Sequence, residues 1–377
     1  MTQTADSSGP TARRYAQIRY RLLLVDLASW LLFLSVFFWC KGSQATARWW
    51  SDRIALEPLR VLGYVAVVSV LYYLLMLPLH IYSGFHLEHR FGLSRLTFRG
   101  WMVREAKHVG VSAILGAILI EGLYALLRHV PASWPLWATI GWIAFSVLLA
   151  RVFPTVLLPM FYKTKPLQDQ ALTDRLLGLC RRVGLSALGV FRFDLGAETR
   201  KANAALAGLG KTRRVLLSDT LLAEFTPEEI EGVLAHELAH HRFRHITKML
   251  LMSAAGSWLA FSLTQLAGER WVAALGLQGL ADLAGFPILM LWLSVLGLIG
   301  LPLQNAVSRA FEWQADRFAV EMTNRSPAFA GALRRLAALN LADPAPPRWV
   351  AWLFYDHPPI TQRIEAAEIA PPQSAVL

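Results

Sequence analysis

The sequence predicts an all-α integral membrane fold, with about six transmembrane helices and a small α+β cytosolic insert. Three observations predict it. Of 377 residues, 55% are hydrophobic and only 17% charged, with a mean hydropathy of +0.40, too apolar for an ordinary soluble domain. Six runs approach the ~20 apolar residues that a bilayer crossing takes: 22–40, 61–82, 109–127, 136–160, 246–267 and 285–306. The stretch 162–245 is the one large polar segment between them.

The chain divides accordingly. Residues 1–161 form a membrane region with four helices, and 162–245 a cytosolic insert. A two-helix membrane hairpin spans 246–306, and 307–377 form a C-terminal cytosolic region. The polar start ends in a basic cluster of Arg13, Arg14, Arg19 and Arg21. No small-residue cleavage site follows, so the first apolar run reads as a retained membrane helix. Pro78 and Pro154 fall inside two of the runs, where membrane helices tolerate and bend around them. Asp26, Glu121 and Arg151 also fall inside them. Such charges face a water-filled cavity or a partner, and a Glu121–Arg151 ion pair is one way to satisfy two of them.

The net charge is +11. Basic residues lie between the apolar runs, the pattern of membrane topology and not of nucleic-acid binding. Residues 1–21 hold four Lys or Arg, 83–108 five and 307–377 seven; the loop 41–60 holds four as well, so the contrast rests on the short loops 128–135 and 268–284, which hold one each. The excess places both termini and the insert in the cytosol. Cys40 and Cys180 suggest neither a disulfide framework nor a cysteine metal site.

Within the insert, 168–183 has a helical pattern and 190–193 suits a short strand. Residues 203–207 and 213–218 read as a hairpin around Gly208, Leu209 and Gly210. Thr226, Pro227 and Glu229 form a helix start: an N-cap, a proline at the first helical position and a capping box. Nothing in the sequence breaks that helix past His245, so it is expected to run on into the membrane segment 246–267.

This helix carries His236, Glu237 and His240. Histidines four apart share a helical face, and two such imidazoles can reach one zinc ion at about 2.0–2.1 Å. Glu237 sits where a carboxylate can take a proton from an activated water. A catalytic zinc takes three protein ligands and keeps one open position. Glu312 supplies the third, and Asp316, one turn on, can accept the far N–H of a ligand histidine. Two membrane helices separate His240 from Glu312, so a transmembrane hairpin closes the site at the cytosolic face. His245 reads as a supporting group close to the metal.

The stretches 233–245 (VLAHELAHHRFRH), 308–316 (SRAFEWQAD), 203–222, 153–167 and 356–366 (DHPPITQRIEA) resemble the integral-membrane zinc protease family that includes the type 1 CAAX prenyl proteases. The resemblance spans roughly residues 59–366. It implies one Zn2+ at His236, His240 and Glu312, with Glu237 as general base. It further implies that His357 stabilises the transition state with Arg363 nearby, and that Asn203 and Ala204 lie on an edge strand that binds the substrate backbone. Some positions depart from the family pattern. Ala205 stands where the family has an aromatic, Ala239 replaces a glycine, His241 replaces an aromatic, and Gly92, Leu93 and Ser94 stand for its Gly-Phe-Asn element.

The sequence therefore predicts a membrane-embedded zinc metalloendopeptidase acting near the C-terminus of a peptide or lipidated protein, without nucleic acid. Two other readings are a general quality-control protease for membrane proteins and a non-catalytic scaffold with a structural zinc. The scaffold lacks the fourth ligand that structural zinc sites carry. An alanine-, leucine- and arginine-rich composition, and no counterpart of the first membrane helix of eukaryotic members, lean towards a bacterial inner membrane. The sequence does not set the oligomeric state.

Overall fold

The computed structural model describes residues 8–208 and 210–369. Residues 1–7 of the polar start, Leu209 of the hairpin turn and residues 370–377 of the C-terminal region lie outside the described residues. The membrane body opens with α1 (Ser8–Trp39), α2 (Gly42–Arg53) and α3 (Glu57–Ile81), which passes through a π-turn, Tyr82–His86, into α4 (Leu87–Arg90). Next come α5 (Phe98–His129) and α6 (Trp134–Val152), the latter running through a second π-turn, Phe153–Leu157, into α7 (Leu158–Phe161). The two π-turns lie near Pro78 and at Pro154, where a missing N–H breaks the i→i−4 ladder.

The insert contains β1 (Thr164–Pro166), α8 (Gln170–Arg182), β2 (Val190–Phe193), β3 (Ala204–Ala207), β4 (Arg214–Ser218), α9 (Asp219–Glu224) and α10 (Pro227–Arg242). Then follow α11 (His245–Ala274), α12 (Phe286–Thr323), α13 (Ser326–Asn340), α14 (Arg348–Phe354) and α15 (Ile360–Ile369). Among the described residues six helices are long and apolar enough to cross a membrane. Leu32, Leu75, Ile114, Leu148, Leu251 and Ile299 stand exposed on them, a surface that lipid accommodates and water does not.

The predicted hairpin is present, with β3 antiparallel to β4. It belongs to a four-stranded sheet of order β1-β2-β4-β3, in which β2 runs parallel to β4. Strand β1 has no alternating apolar pattern and was not legible as a strand. Gly208 makes the turn possible: its φ is +95°, and an added Cβ would lie 2.5 Å from the Thr212 carbonyl oxygen. Leu176, Val190, Val215, Leu217, Ile230 and Leu234 fill the core between this sheet, α8 and α10.

One sequence expectation is corrected. The helix beginning at Thr226 does not run unbroken into the membrane. It stops at Arg242, and Arg244 adopts the left-handed conformation with φ +56° before α11 starts. That backbone costs roughly 1–2 kcal/mol for a non-glycine residue. It turns His245 back against Phe311, with the rings stacked 4.2 Å apart, a tertiary contact that local pattern does not reveal. Of the two alternatives open for the intramembrane charges, a Glu121–Arg151 pair does not form. Arg151 is exposed, whereas Glu121 Oε1 is buried without a partner among the described residues. Asp26 accepts a long hydrogen bond from the Tyr72 hydroxyl, at 3.4 Å.

Helix α12 brings the halves of the site together. Its 38 residues span about 57 Å at 1.5 Å per residue, far more than the ~30 Å hydrocarbon core. The excess projects beyond the bilayer and packs along α10.

Candidate metal centre

Helix α10 is fixed at its start and along its length. Thr226 and Glu229 make the reciprocal capping box, and Arg335 pairs with the buried Glu229 at 3.0 Å. Gly232 lets Phe329 approach closely, where a Cβ would lie 3.2 Å from the ring. On this rigid element His236 and His240 point to α12, and Glu312 points back.

The three donor atoms converge. His236 Nε2 lies 3.2 Å from His240 Nε2, and each lies 3.3 Å from a Glu312 oxygen. The histidines meet different oxygens of Glu312, Oε2 for His236 and Oε1 for His240, and one ligand atom from each of the three residues lies within 4.8 Å of the others, close enough for one metal ion to take all three. Glu312 Oε2 is buried with no hydrogen-bond partner among the described residues; Arg363 Nη2 stands 3.6 Å away, an ion pair beyond hydrogen-bond reach, so the oxygen keeps its lone pairs free for a closer cation. The residues therefore fit a metal ion.

Both imidazoles are oriented from behind. His236 Nδ1 lies 2.8 Å from Asp316 Oδ1. The approach is too bent for a well-aligned hydrogen bond, but it favours the proton on Nδ1. Asp316 is itself gripped by Arg363, with Nε and Nη2 donating at 2.8 and 2.7 Å. His240 Nδ1 lies 3.1 Å from His245 Nδ1, and His245 Nε2 lies 2.9 Å from Gln314 Oε1. With the Gln314 oxygen accepting from His245, the next proton falls on His240 Nδ1, which frees His240 Nε2 as a lone-pair donor. Burial opposes charge on His236, yet Asp316 and Glu312 outweigh it and raise the pKa to about 9. A divalent cation then competes with a proton for Nε2.

His357 enters from the loop between α14 and α15. Arg309 of α12 donates to the Tyr355 carbonyl at 2.6 Å and Asn305 to that of Leu353 at 2.7 Å, so α12 holds this loop in place. His357 Nε2 lies 3.3 Å from Glu312, and Nδ1 bonds Asp356 at 2.8 Å. Burial pulls the His357 pKa down, but Asp356 and Glu312 prevail and leave it raised.

A cavity of ≈260 Å³ joins these parts, lined by Asn203, Ala204, His236, Glu237, His357 and Arg363, with Val233, Phe329, Leu333 and Leu336 on its apolar wall. Asn203 is tied back to β4 through Ser218, so the hairpin edge faces the cavity at Ala204. Arg363 is nine-tenths buried, with its fork taken by Asp316. A second, polar cavity of ≈690 Å³ adjoins at Ala202, Asn203 and Asn340. It lies among the membrane helices and the insert and is lined by Arg104, Glu105, His108 and Glu198, not by Asp26, Glu121 or Arg151. Sequence reasoning missed Gln314, Asp356, Arg309 and Asn340. The first two stand within two residues of predicted site residues, which was the available signal; the others act through folded contacts.

Comparison with known proteins matches residues 166–370 to peptidase family M48, and residues 6–163 to the CAAX prenyl protease N-terminal region, described as five membrane helices. Four helices of spanning length, with the shorter α2, occupy that region here. A Bacillus subtilis protein named "Uncharacterized metalloprotease YhfN" is 27% identical over 362 residues, 95% of this chain and 84% of its own. The CAAX prenyl protease 1 homolog of Arabidopsis thaliana is 29% identical over 379 residues, 94% and 85% of the two chains. CAAX prenyl protease 1 of Saccharomyces cerevisiae is 26% identical over 325 residues, 81% and 72% of the two. The crystal structure of S. mikatae Ste24p superposes with a TM-score of 0.85 at 23% identity, covering 97% of this chain and 90% of that one. That likeness establishes a shared fold.

Proposed function

The chain belongs to peptidase family M48, and we propose that this integral membrane metalloprotease uses one zinc ion held by His236, His240 and Glu312 to cut peptides near their C-terminus. The convergence of one donor atom each from His236, His240 and Glu312 within 4.8 Å, at the wall of the cavity that holds Glu237, carries the reading. A zinc ion there supplies Lewis acidity, lowering the pKa of a water molecule and polarising the scissile carbonyl.

The chain's own groups do the rest. Glu237 takes the proton of the attacking water and delivers it to the leaving amine. His357, its Nδ1 held by Asp356, donates from Nε2 to the developing oxyanion. Asp316 orients His236, and Arg363 keeps Asp316 charged and in place beside the substrate cavity. Ala204, with Asn203 beside it, offers the β3 edge to the substrate backbone. Val233, Phe329, Leu333 and Leu336 suit an aliphatic side chain, the residue class that a CAAX box presents.

We assign the four-helix region 1–161 to membrane anchoring, 162–245 and 307–377 to the catalytic unit, and 246–306 to the hairpin linking its parts. The excess of basic residues in short loops supports a cytosolic site, and the alanine-, leucine- and arginine-rich composition supports a bacterial inner membrane. The test is cleavage of two matched peptides, one farnesylated CAAX and one unlipidated, by purified protein. Cutting the farnesylated peptide alone supports CAAX processing. Cutting both supports a general membrane-surface peptidase. Cutting neither, with zinc bound, removes the substrate assignment and strengthens the scaffold reading.

A further inference from the structure

We propose that Asn340 closes one end of the β3 edge by imitating a neighbouring strand, and so fixes the register in which a substrate backbone pairs. The inference rests on the peptidase reading above.

In an antiparallel pair, alternate residues turn their N–H and C=O toward the partner and away from it. Asn203 faces β4: its N–H donates to Ser218 Oγ at 3.0 Å, and its carbonyl accepts from Ser218 N at 2.9 Å. With Ala204 opposite Leu217 and Leu206 opposite Val215, the outward groups belong to Ala202, Ala204 and Leu206. Asn340 takes the first of these. Its Oδ1 accepts from Ala202 N–H at 3.1 Å, and its Nδ2 donates to the Ala202 carbonyl at 3.4 Å. That is the donor and acceptor pair a partner strand would supply. At the other end, His241 Nε2 lies 3.4 Å from the Leu206 carbonyl. The edge left open comprises the N–H and C=O of Ala204 and the N–H of Leu206, which accommodates a single register.

The position of Asn340 is over-determined. It ends α13, and the next residue, Leu341, is a buried leucine with φ +49°. Such a backbone is strained and persists only where the surroundings enforce it. Here Tyr15, Leu87 and Leu93 enclose Leu341. Asn340 also lines both the catalytic cavity and the larger polar one, at their junction. A peptide reaching across from the larger cavity meets it before reaching Ala204. The residue is a positioning group, since its amide touches the strand and not the scissile bond.

The test uses full-length protein in detergent with its metal, and whichever of the two matched peptides the wild type cuts. Asn340→Leu keeps the side-chain size and removes both hydrogen bonds; Asn340→Asp keeps the acceptor for Ala202 N–H. For Asn340→Leu we expect KM to rise roughly tenfold, the equivalent of about one hydrogen bond, with kcat within about twofold. Mass spectrometry should find new cuts two residues from the main one, because backbone pairing slips in steps of two when the face is kept. Asn340→Asp should keep a single cut, and all variants the wild-type metal content. Hydrogen exchange at the Ala202 amide should accelerate in Asn340→Leu while Ala205 stays protected. Wild-type KM with a single cut in Asn340→Leu, or unchanged Ala202 exchange, overturns the proposal. A wild type that binds metal and cuts neither peptide sinks the substrate assignment instead. In that case Ala202 exchange still decides whether Asn340 closes the edge: protection unchanged in Asn340→Leu refutes it.

Discussion

Replacing Asp316 with alanine separates two roles of one buried carboxylate. Asp316 and Arg363 are both at least nine-tenths buried, and they meet through two hydrogen bonds of 2.8 and 2.7 Å. Removing the carboxylate leaves the buried guanidinium with the longer 3.6 Å contact to Glu312 and neither of these hydrogen bonds, a loss of up to about 3–5 kcal/mol. At ~2–4 °C per kcal/mol for a domain of 150–250 residues, the unfolding midpoint should fall by roughly 6–20 °C. Asp316 also stands 2.8 Å behind His236 Nδ1, and loss of such a neighbour weakens metal binding by about 10–100-fold. The double variant Asp316→Ala/Arg363→Met removes both buried charges. It should recover most of the lost midpoint, since replacing a buried pair with apolar groups is often neutral, but not the metal affinity. Thermal unfolding in detergent and zinc titration against a competing chelator read the two quantities separately. Metal affinity restored along with stability in the double variant, or a single variant within twofold of wild type in both, would refute this division of roles.

Three further outcomes follow from the site. Glu237→Gln should lose at least ~10²–10⁴-fold in kcat, the range of general-base catalysis, with zinc content unchanged; normal turnover would remove Glu237 from the mechanism. Asp356→Asn removes the partner that raises the His357 pKa. The protonated donor is then lost at lower pH, so the alkaline limb of the kcat profile should move toward acid, and a limb that stays put would exclude His357 as donor. Gly208→Ala forces a Cβ onto the Thr212 carbonyl at a φ of +95°. It should loosen the β3–β4 hairpin by ~1–3 kcal/mol, seen as faster amide exchange at Ala205 and Ala207.

The sequence made legible whatever depends on local pattern. Hydropathy marked the six spans, and Thr226, Pro227 and Glu229 marked the start of α10 to the residue. The four-residue spacings placed His236 with His240 and Glu312 with Asp316. It did not reveal the break at Arg244, because left-handed arginine carries no local signal and the stacking of His245 on Phe311 compensates it only in the folded chain. Strand β1 was missed because Thr164–Pro166 is too short for alternation to show. Asn340 was missed because its role depends on a strand more than 130 residues away. The intramembrane charges stayed open between a cavity and an ion pair for a related reason: helix rotation decides whether Glu121 can meet Arg151, and a single sequence does not carry it.

The most direct test of the central claim is metal analysis of the purified protein and its His240→Ala variant by plasma mass spectrometry. The account predicts about one zinc per chain in the wild type and less than a tenth of that in the variant. Zinc retained at wild-type stoichiometry in His240→Ala, or another metal filling the wild-type site, would contradict it.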